Sequence, residues 1–151
     1  MTGLCAPNTP PDDRLIGRIV EHEGIKKFVY KDIMQYSTVG IGRCIEPNVG
    51  KGLSVDECFY LLRNDLADFR RELSVYDWFK IQDDVRQGVL IELAFNMGTA
   101  NLLKFKKMIA ALSVKNYSLA AKELVNSTWF TQVGKGRSDD IRWRLDNGRY
   151  K

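Results

Sequence analysis

The pattern of apolar and polar residues predicts a helix near the start of the chain. Residues 1–11 contain three prolines and predict an irregular leader. From Asp12 to Gly24 the apolar residues recur at helical spacing, with acidic capping residues at one end and a helix-terminating glycine at the other. The apolar stripe of this helix consists of Leu15, Ile16, Ile19 and Val20.

A short strand-rich segment follows this helix. FVYK at residues 28–31 and TVGIG at residues 38–42 predict the two strands of a hairpin. A third short strand is expected near Cys44 and Ile45, before a loop that runs to Gly52. The segment therefore predicts a small sheet within a chain that is otherwise helical.

The clearest helical pattern begins after Ser54. The segment SVDE, from Ser54 to Glu57, is a capping box. The helix that it opens is expected to run for about 18 residues, long enough to link two lobes. Its predicted apolar face consists of Val55, Cys58, Phe59, Leu62, Leu66, Phe69 and Leu73.

The second half of the chain is predicted to be helical throughout. Residues 85–97 are apolar on nearly every side, which predicts a buried central helix that Gly98 ends. Further helices are expected around residues 105–112 and 118–125. Ser138 is predicted to cap the last helix, after a loop with the sequence VGKGR.

The composition suits one domain with a sizeable core. The chain has 151 residues, of which 44% are hydrophobic. Its formal charge is +4 and its sequence pI is near 9.0. A basic chain favours a polyanionic partner, such as nucleic acid, an anionic membrane surface or an acidic cell-wall polymer, and charge alone does not choose among them.

Nothing in the sequence favours a metal, a cofactor or a membrane anchor. The three cysteines, Cys5, Cys44 and Cys58, stand at unrelated spacings and are expected to be buried or incidental rather than a disulfide framework. His22 is the only histidine, so no zinc site is expected. No apolar run approaches the roughly 20 residues of a membrane span, and the first residues lack the pattern of a signal peptide.

Candidate catalytic residues lie between Glu21 and Thr38. Helical phase places Glu23 within the apolar stripe and Glu21 on the opposite face, so Glu23 is expected to point inward. Desolvation there would favour a protonated carboxyl, suited to a general acid. Asp32, among polar loop atoms, would stay ionised and activate a water that the Thr38 hydroxyl helps to hold. Structural interpretations stand beside these: a paired Glu, a turn Asp and a strand Thr.

The spacing of these residues resembles the signature of the phage-type lysozymes, the family of the T-even phage lysozyme. In that signature a Glu is followed by eight residues, an Asp or Cys, five residues and a Thr. Glu23, Asp32 and Thr38 stand at these intervals. LSVDECFYLLRNDLADF, AFNMG, and STWF with the basic loop after it also resemble the family, so the resemblance covers about residues 13–151.

The resemblance implies an α+β lysozyme-like fold in which residues 1–151 form a single domain. A small N-terminal lobe with a β-hairpin or short sheet is expected at about residues 12–54. A linking helix at about residues 55–73 would join it to a helical C-terminal lobe at about residues 74–151, with the active site in the cleft between them.

The resemblance also implies a muramidase, which hydrolyses the β-1,4 bond between N-acetylmuramic acid and N-acetylglucosamine in peptidoglycan. Glu23 would protonate the leaving oxygen while Asp32 and Thr38 hold the attacking water, with inversion. Phe95 matches a cleft residue that contacts sugar, and Arg137 matches a basic residue near the catalytic Glu. No metal or other cofactor is implied.

The chain departs from the family pattern at several positions. Arg43 and Cys44 stand where relatives have histidine and leucine, so a histidine–carboxylate pair of the relatives should be absent or replaced. Met108 and Glu123 stand where relatives have a Ser and an Asn that contact sugar. These changes bear on which peptidoglycan the protein prefers.

The leading expectation is a monomeric endolysin that binds peptidoglycan glycan strands. It is expected to bind no nucleic acid and to have no membrane anchor. It would accumulate in the cytoplasm of the host bacterium and reach the cell wall after holin-type release. One alternative is a lysozyme-like component of a phage tail. The other is a nucleic-acid-binding module, supported by the basic residues Lys104, Lys106, Lys107, Arg142, Arg144, Arg149 and Lys151 but leaving the Glu–Asp–Thr spacing unexplained.

Overall fold

The computed structural model describes residues 13–151, so the leader at residues 1–11, the capping residue Asp12 and Cys5 lie outside the described residues. The described chain is mostly helical and contains one small sheet, which confirms the predicted α+β class. Its elements are α1 Asp13–Glu23, β1 Lys26–Lys31, β2 Ser37–Gly40, β3 Arg43–Cys44, α2 Val55–Leu73, α3 Asp77–Lys80, α4 Asp84–Met97, α5 Thr99–Leu102, α6 Lys106–Ser113, α7 Tyr117–Val125, α8 Thr128–Gln132 and α9 Lys135–Asn147.

The chain divides into two compact units, at residues 1–58 and 59–151. The described part of the first unit contains α1, the sheet and the first turn of α2. The second contains the rest of α2 and the helices α3 to α9. None of the helices within residues 13–151 is long and apolar enough to cross a membrane.

The sheet is antiparallel and has the order β1–β2–β3. Thr38 lies in the central strand, where it pairs with Tyr30 of β1 and with Cys44 of β3. Gly40 and Gly42 have φ angles of 71° and 72°, a left-handed conformation that glycine tolerates and that ends a strand. The segment TVGIG is therefore a strand followed by its turn, not a strand throughout.

The helix α1 forms as predicted, but its apolar stripe is not buried. Leu15, Ile16 and Ile19 are 55%, 42% and 42% exposed, and Glu23 is exposed as well. The prediction that Glu23 points inward is therefore wrong in this structure. Helical phase identifies which face of a helix is apolar, but it does not say which surface covers that face.

The predicted capping box at the start of α2 is confirmed. The backbone N–H of Glu57 donates to Ser54 Oγ at 3.1 Å, and the Ser54 N–H donates to Glu57 Oε2 at 2.8 Å. These two bonds satisfy backbone donors that the first turn of a helix leaves without partners. The helix then runs to Leu73.

The apolar face of α2 is buried only towards its C-terminal end. Leu73 is fully buried, and Leu66 and Phe69 pack against the core of the second unit. Phe59 is exposed, and so is Cys58. Of the two alternatives expected for the cysteines, buried or incidental, burial is wrong for Cys58, although it lies on the apolar stripe of the helix.

The core of the second unit surrounds α4, as predicted from its uniformly apolar sequence. This helix ends at Met97, and Gly98 follows with φ 84°. Its buried residues pack with those of the other helices. The fully buried apolar side chains of this unit are Leu73, Val89, Leu90, Leu93, Ala94, Leu102, Leu112, Ala120, Leu124, Ile141 and Leu145.

The last helix begins earlier than predicted. The N–H groups of Arg137 and Ser138 both donate to Gly134 O, at 3.0 and 3.1 Å, so Gly134 precedes the first turn. Ser138 lies inside α9, where it is buried and donates to Lys135 O at 3.1 Å. The predicted cap at Ser138 is wrong, since the VGKGR loop is largely taken up by the helix.

Replacing Gly98 with alanine should destabilise the second unit. Gly98 has φ 84° and ψ 148°, a region close to glycine-only, so Gly98→Ala is expected to lower the free energy of unfolding by about 1–3 kcal/mol. Gly88→Ala is the matched control, because Gly88 lies within α4 and, apart from the neighbouring backbone of that helix, no described atom lies within 4 Å of an added Cβ. That change should be neutral or stabilising by roughly 0.5–1 kcal/mol. Urea unfolding measures both, and equal effects of the two substitutions would contradict the expectation.

Candidate active site

Asp32 follows β1 directly and closes the turn that leads to β2. Its Oδ1 accepts hydrogen bonds from the N–H of Met34 at 2.8 Å and of Tyr36 at 2.9 Å, and its own N–H donates to Tyr36 O at 3.0 Å. The structural interpretation of Asp32 as a turn residue therefore applies to Oδ1. Within residues 13–151 no group donates to Oδ2, so that oxygen is available to accept a hydrogen bond from a water.

Thr38 is the only buried residue in the described part of the first unit, at 2% exposure. Its Oγ1 donates to Tyr36 O at 3.2 Å. Tyr36 also donates its N–H to Asp32, so the backbone of one residue holds both side chains. The Thr38 hydroxyl donates its one proton to Tyr36 O, and the lone pairs of Thr38 Oγ1 remain able to accept a hydrogen bond.

Glu23 ends α1 beside the turn between β2 and β3. A Cβ added to Gly42 would stand 3.0 Å from Glu23 Oε2. Glycine at position 42 therefore serves both the left-handed backbone and the close approach of the carboxylate. Glu23, Asp32 and Thr38 thus all belong to the first unit, where the sheet and the helix before it carry them.

Arg43 of β3 is tied to the start of α2. Its two terminal nitrogens donate to Glu57 at 2.9 and 2.8 Å, a bidentate pair, and Nη1 also donates to Gly52 O at 3.1 Å. The hydrogen bonds and charge of Glu57 raise the pKa of Arg43. In return, the pKa of Glu57 falls to about 2, chiefly through Arg43 and then the Ser54 amide. The arginine that stands in place of the family's histidine therefore has a carboxylate partner in this chain.

Sequence reasoning missed Glu46, which lies just beyond β3. Its Oε2 accepts from the Ser37 N–H at 2.8 Å and from Lys31 Nζ at 3.3 Å, and Lys31 Nζ also donates to Ser37 Oγ at 2.9 Å. The Ser37 amide, then the Ser37 side chain and Lys31, lower the pKa of Glu46 to about 2. No local pattern signals these contacts, because strand pairing brings the residues together.

Phe95, the predicted sugar contact, and Arg137, the predicted basic residue near the catalytic Glu, border the same cavity of about 650 Å³ within the second unit. Phe95 is 40% exposed and meets Phe69 edge to face, with ring centroids 6.2 Å apart. Arg137 lies in α9, not in a loop as predicted. The cavity is lined by Leu62, Leu66, Ala67, Arg70, Gly88, Ile91, Glu92, Phe95, Arg137, Arg144 and Tyr150.

A group of charges forms the polar part of this cavity. Arg144, whose side chain is 7% exposed, donates to Glu92 Oε2 at 2.6 Å and to Asp140 Oδ2 at 2.9 Å. Arg137 Nε lies 3.8 Å from the other oxygen of Glu92. Burial alone would lower the pKa of Arg144, but the bonds to Glu92 and Asp140 raise it above its usual value. Arg144 therefore serves an internal ion pair and not the basic surface that a nucleic-acid-binding module would need.

Met108 and Glu123, which were expected to stand where relatives have sugar-contacting side chains, border a smaller depression of about 320 Å³. Met108 is almost fully buried there and Glu123 is half-buried. The rest of the lining is Lys104, Phe105, Lys106 and Lys107. A thioether and a carboxylate beside three lysines thus border this depression.

The first unit should lose stability in acid as Glu46 and Glu57 are protonated. Both have folded-state pKa values near 2, below the ordinary value of 4.5. Their contribution is therefore complete above about pH 4.5 and disappears as the pH falls towards 2. Thermal unfolding from pH 6 to 2 should show a shallower decline for the Glu46→Gln/Glu57→Gln variant than for the unmodified protein.

Salt provides the control for this pH dependence. Both carboxylates are partly exposed, so high ionic strength should reduce the difference between the two proteins. Identical pH profiles at low salt would show that the two ion pairs do not contribute.

The sequence is similar to a known protein family and to several individual proteins. A family model described as phage lysozyme matches residues 20–144. Probable T4-type lysozyme 1 of Dictyostelium discoideum is 31% identical over 153 residues, covering 83% of this chain and 89% of that protein. Probable T4-type lysozyme 2 of the same organism is 28% identical, covering 85% and 91%. Pre-baseplate central spike protein Gp5 of Enterobacteria phage T4 is 27% identical over 79% of this chain, but only 25% of its own length.

Proposed function

The chain belongs to the phage lysozyme family and is a glycoside hydrolase that acts on peptidoglycan, and we propose that it is an inverting muramidase with Glu23, Asp32 and Thr38 as its catalytic residues. The bond cleaved is the β-1,4 linkage between N-acetylmuramic acid and N-acetylglucosamine. The observation that carries the assignment is the backbone of Tyr36. It holds Asp32 and Thr38 in one turn while an oxygen of each remains available to a water.

Asp32 and Thr38 hold and activate the attacking water. The water donates to Asp32 Oδ2 and to the Thr38 hydroxyl oxygen, two acceptors on rigid backbone. As the water oxygen bonds to the anomeric carbon, its proton passes to Asp32. The hydrogen bonds from the Met34 and Tyr36 N–H groups to Oδ1 keep the carboxylate from rotating, so Oδ2 stays directed at the water.

Glu23 supplies the proton for the leaving group. Its carboxyl lies at the end of α1, next to the glycine turn between β2 and β3. It protonates the glycosidic oxygen as the bond to the anomeric carbon breaks, which leaves a sugar hydroxyl and a Glu23 carboxylate. Exchange with solvent then returns both carboxyl groups to their starting states.

Phe95 and Arg137 bind the glycan. Phe95 offers a partly exposed ring, which suits the apolar face of a sugar, and Arg137 offers donors for its hydroxyl or carboxyl groups. Their common cavity supports this assignment, since both residues line it. Glu92 forms ion pairs with both Arg137 and Arg144, so its negative charge offsets part of their positive charge.

Glu23→Gln should abolish most of the activity because glutamine cannot donate the proton. We expect a loss of at least about 100-fold in the initial rate of clearing of a Gram-negative peptidoglycan suspension. Glu21→Gln is the matched control, since Glu21 lies two residues away on the same exposed helix end and, among residues 13–151, forms an ion pair with Arg18. A Glu23→Gln protein that clears as fast as the Glu21→Gln protein would refute the assignment of the acid.

The stereochemical outcome tests the role of Asp32. An attack by water on the face opposite the leaving group should release the α-anomer first from a β-linked glycan. Proton NMR of the anomeric signals during the first minutes, before mutarotation, measures this. Initial release of the β-anomer would exclude inversion while leaving the lysozyme activity itself intact.

Host cell lysis is the biological role that we propose for this activity. The protein would be made in the cytoplasm of the infected bacterium and reach the wall through holin-type release, acting as a monomer. The similarity to the Gp5 spike protein favours a second candidate, in which the chain acts as part of a phage particle. Immunodetection separates the two: an endolysin is found in the soluble lysate, and a tail component remains with purified particles.

A further inference from the structure

The end of the sheet that carries Asp32 and Thr38 is held by a polar network on the residues next to them. Lys31 directly precedes Asp32, and Ser37 directly precedes Thr38. Lys31 and Ser37 are paired in the register of β1 and β2. Lys31 Nζ donates to Ser37 Oγ at 2.9 Å and to Glu46 Oε2 at 3.3 Å. The same oxygen of Glu46 accepts the Ser37 N–H at 2.8 Å. One carboxylate therefore holds the end of β1 to the start of β2.

This network is anchored to the third strand as well. The N–H of Ile45 donates to Ser37 O at 2.8 Å, so the segment after β3 bonds Ser37 through both backbone and side chain. Glu46 O in turn accepts the Gly50 N–H at 2.9 Å, which closes the following turn. The backbone on both sides of Glu46 is therefore fixed by hydrogen bonds, and the Glu46 carboxylate fixes the position of Ser37 in turn.

The network lies on the face of the sheet opposite Thr38. Consecutive residues of a strand point to opposite faces, so Ser37 and Thr38 project in opposite directions. Glu46 contacts Ser37 and Lys31, and no described contact joins it to Asp32 or Thr38. Any effect of Glu46 on these two residues must therefore pass through the backbone.

We propose that Glu46 is a positioning residue that, through Ser37 and Lys31, sets the backbone geometry at which Asp32 and Thr38 hold the water. This inference rests on the proposed function. Tyr36, whose N–H and carbonyl hold Asp32 and Thr38, lies immediately before Ser37. Without Glu46 the Ser37 N–H loses its acceptor and the Lys31 ammonium loses its counter-charge, so the turn from Asp32 to Ser37 can shift.

The test compares Glu46→Ala with Glu46→Gln on solubilised glycan strands. Glu46→Ala should lower kcat roughly tenfold with little change in KM, since the glycan contacts of Phe95 and Arg137 lie in the other unit and only water positioning is disturbed. Glu46→Gln should restore most of kcat because its amide oxygen still accepts from Ser37. Glu57→Ala, which removes the ion pair between Glu57 and Arg43 of β3, should leave kcat unchanged. A Glu46→Ala kcat equal to that of the unmodified protein, or an equal fall in Glu57→Ala, would overturn the proposal.

Two further measurements keep the outcome decisive. If circular dichroism shows that Glu46→Ala is unfolded, Glu46→Asp decides, because its shorter side chain draws the carboxylate away from the Ser37 N–H: a lower kcat supports the role, and an unchanged kcat overturns it. If the unmodified protein fails to cleave peptidoglycan, the proposed function fails and NMR tests the positioning separately. Glu46→Ala should then shift the amide signals of Tyr36 and Thr38, whereas Glu46→Gln should not. Unchanged signals in Glu46→Ala would refute the backbone role.

Discussion

Hydrogen bonds from the turn amides to Asp32 Oδ1 fix the carboxylate of the candidate site, and the site's other polar contacts build on this turn. The described part of the first unit has almost no apolar core, since Thr38 is the only buried residue within 13–58. In such a unit side-chain packing contributes little to geometry, and polar contacts to the backbone determine it. The turn from Asp32 to Tyr36 therefore decides where the carboxylate and the Thr38 hydroxyl lie.

The same polar construction extends through the rest of the first unit. Glu46 holds β1 to β2, and the Arg43–Glu57 pair holds β3 to the start of α2. Both ion pairs are partly exposed to solvent and are therefore sensitive to salt and acid. The arrangement suits a catalytic segment, because it leaves carboxylates near solvent while fixing the chain that carries them.

The second unit is built in a different way. Its helices pack around α4, and the charges that enter this packing are paired, as Arg144 is with Glu92 and Asp140. An unpaired charge there would be costly, so the ion pair accompanies the burial of the arginine. Phe95 and Arg137 border one cavity of this unit, and Glu92 lies between Arg137 and Arg144.

Local patterns predicted the elements whose causes are local. The capping box at Ser54 and Glu57 and the end of α4 at Gly98 were both found as expected, because each depends on contacts within a few residues. The start of α9 was not, since a turn-forming sequence with two glycines continued into a helix from Gly134. The short helix α8, capped by Ser127, was also missed.

What the sequence determined by itself is the set of candidate residues and their order along the chain. The Glu–Asp–Thr interval, the helical phases and the family resemblance all follow from spacing, which needs no coordinates. Tertiary structure decided what each side chain contacts. Glu23 is exposed beside Gly42, and the backbone of Tyr36 is hydrogen-bonded to both Asp32 and Thr38. Glu46 accepts hydrogen bonds from Lys31 and Ser37. The physical reason is that burial and hydrogen bonding depend on segments distant in sequence, whose approach no local period encodes.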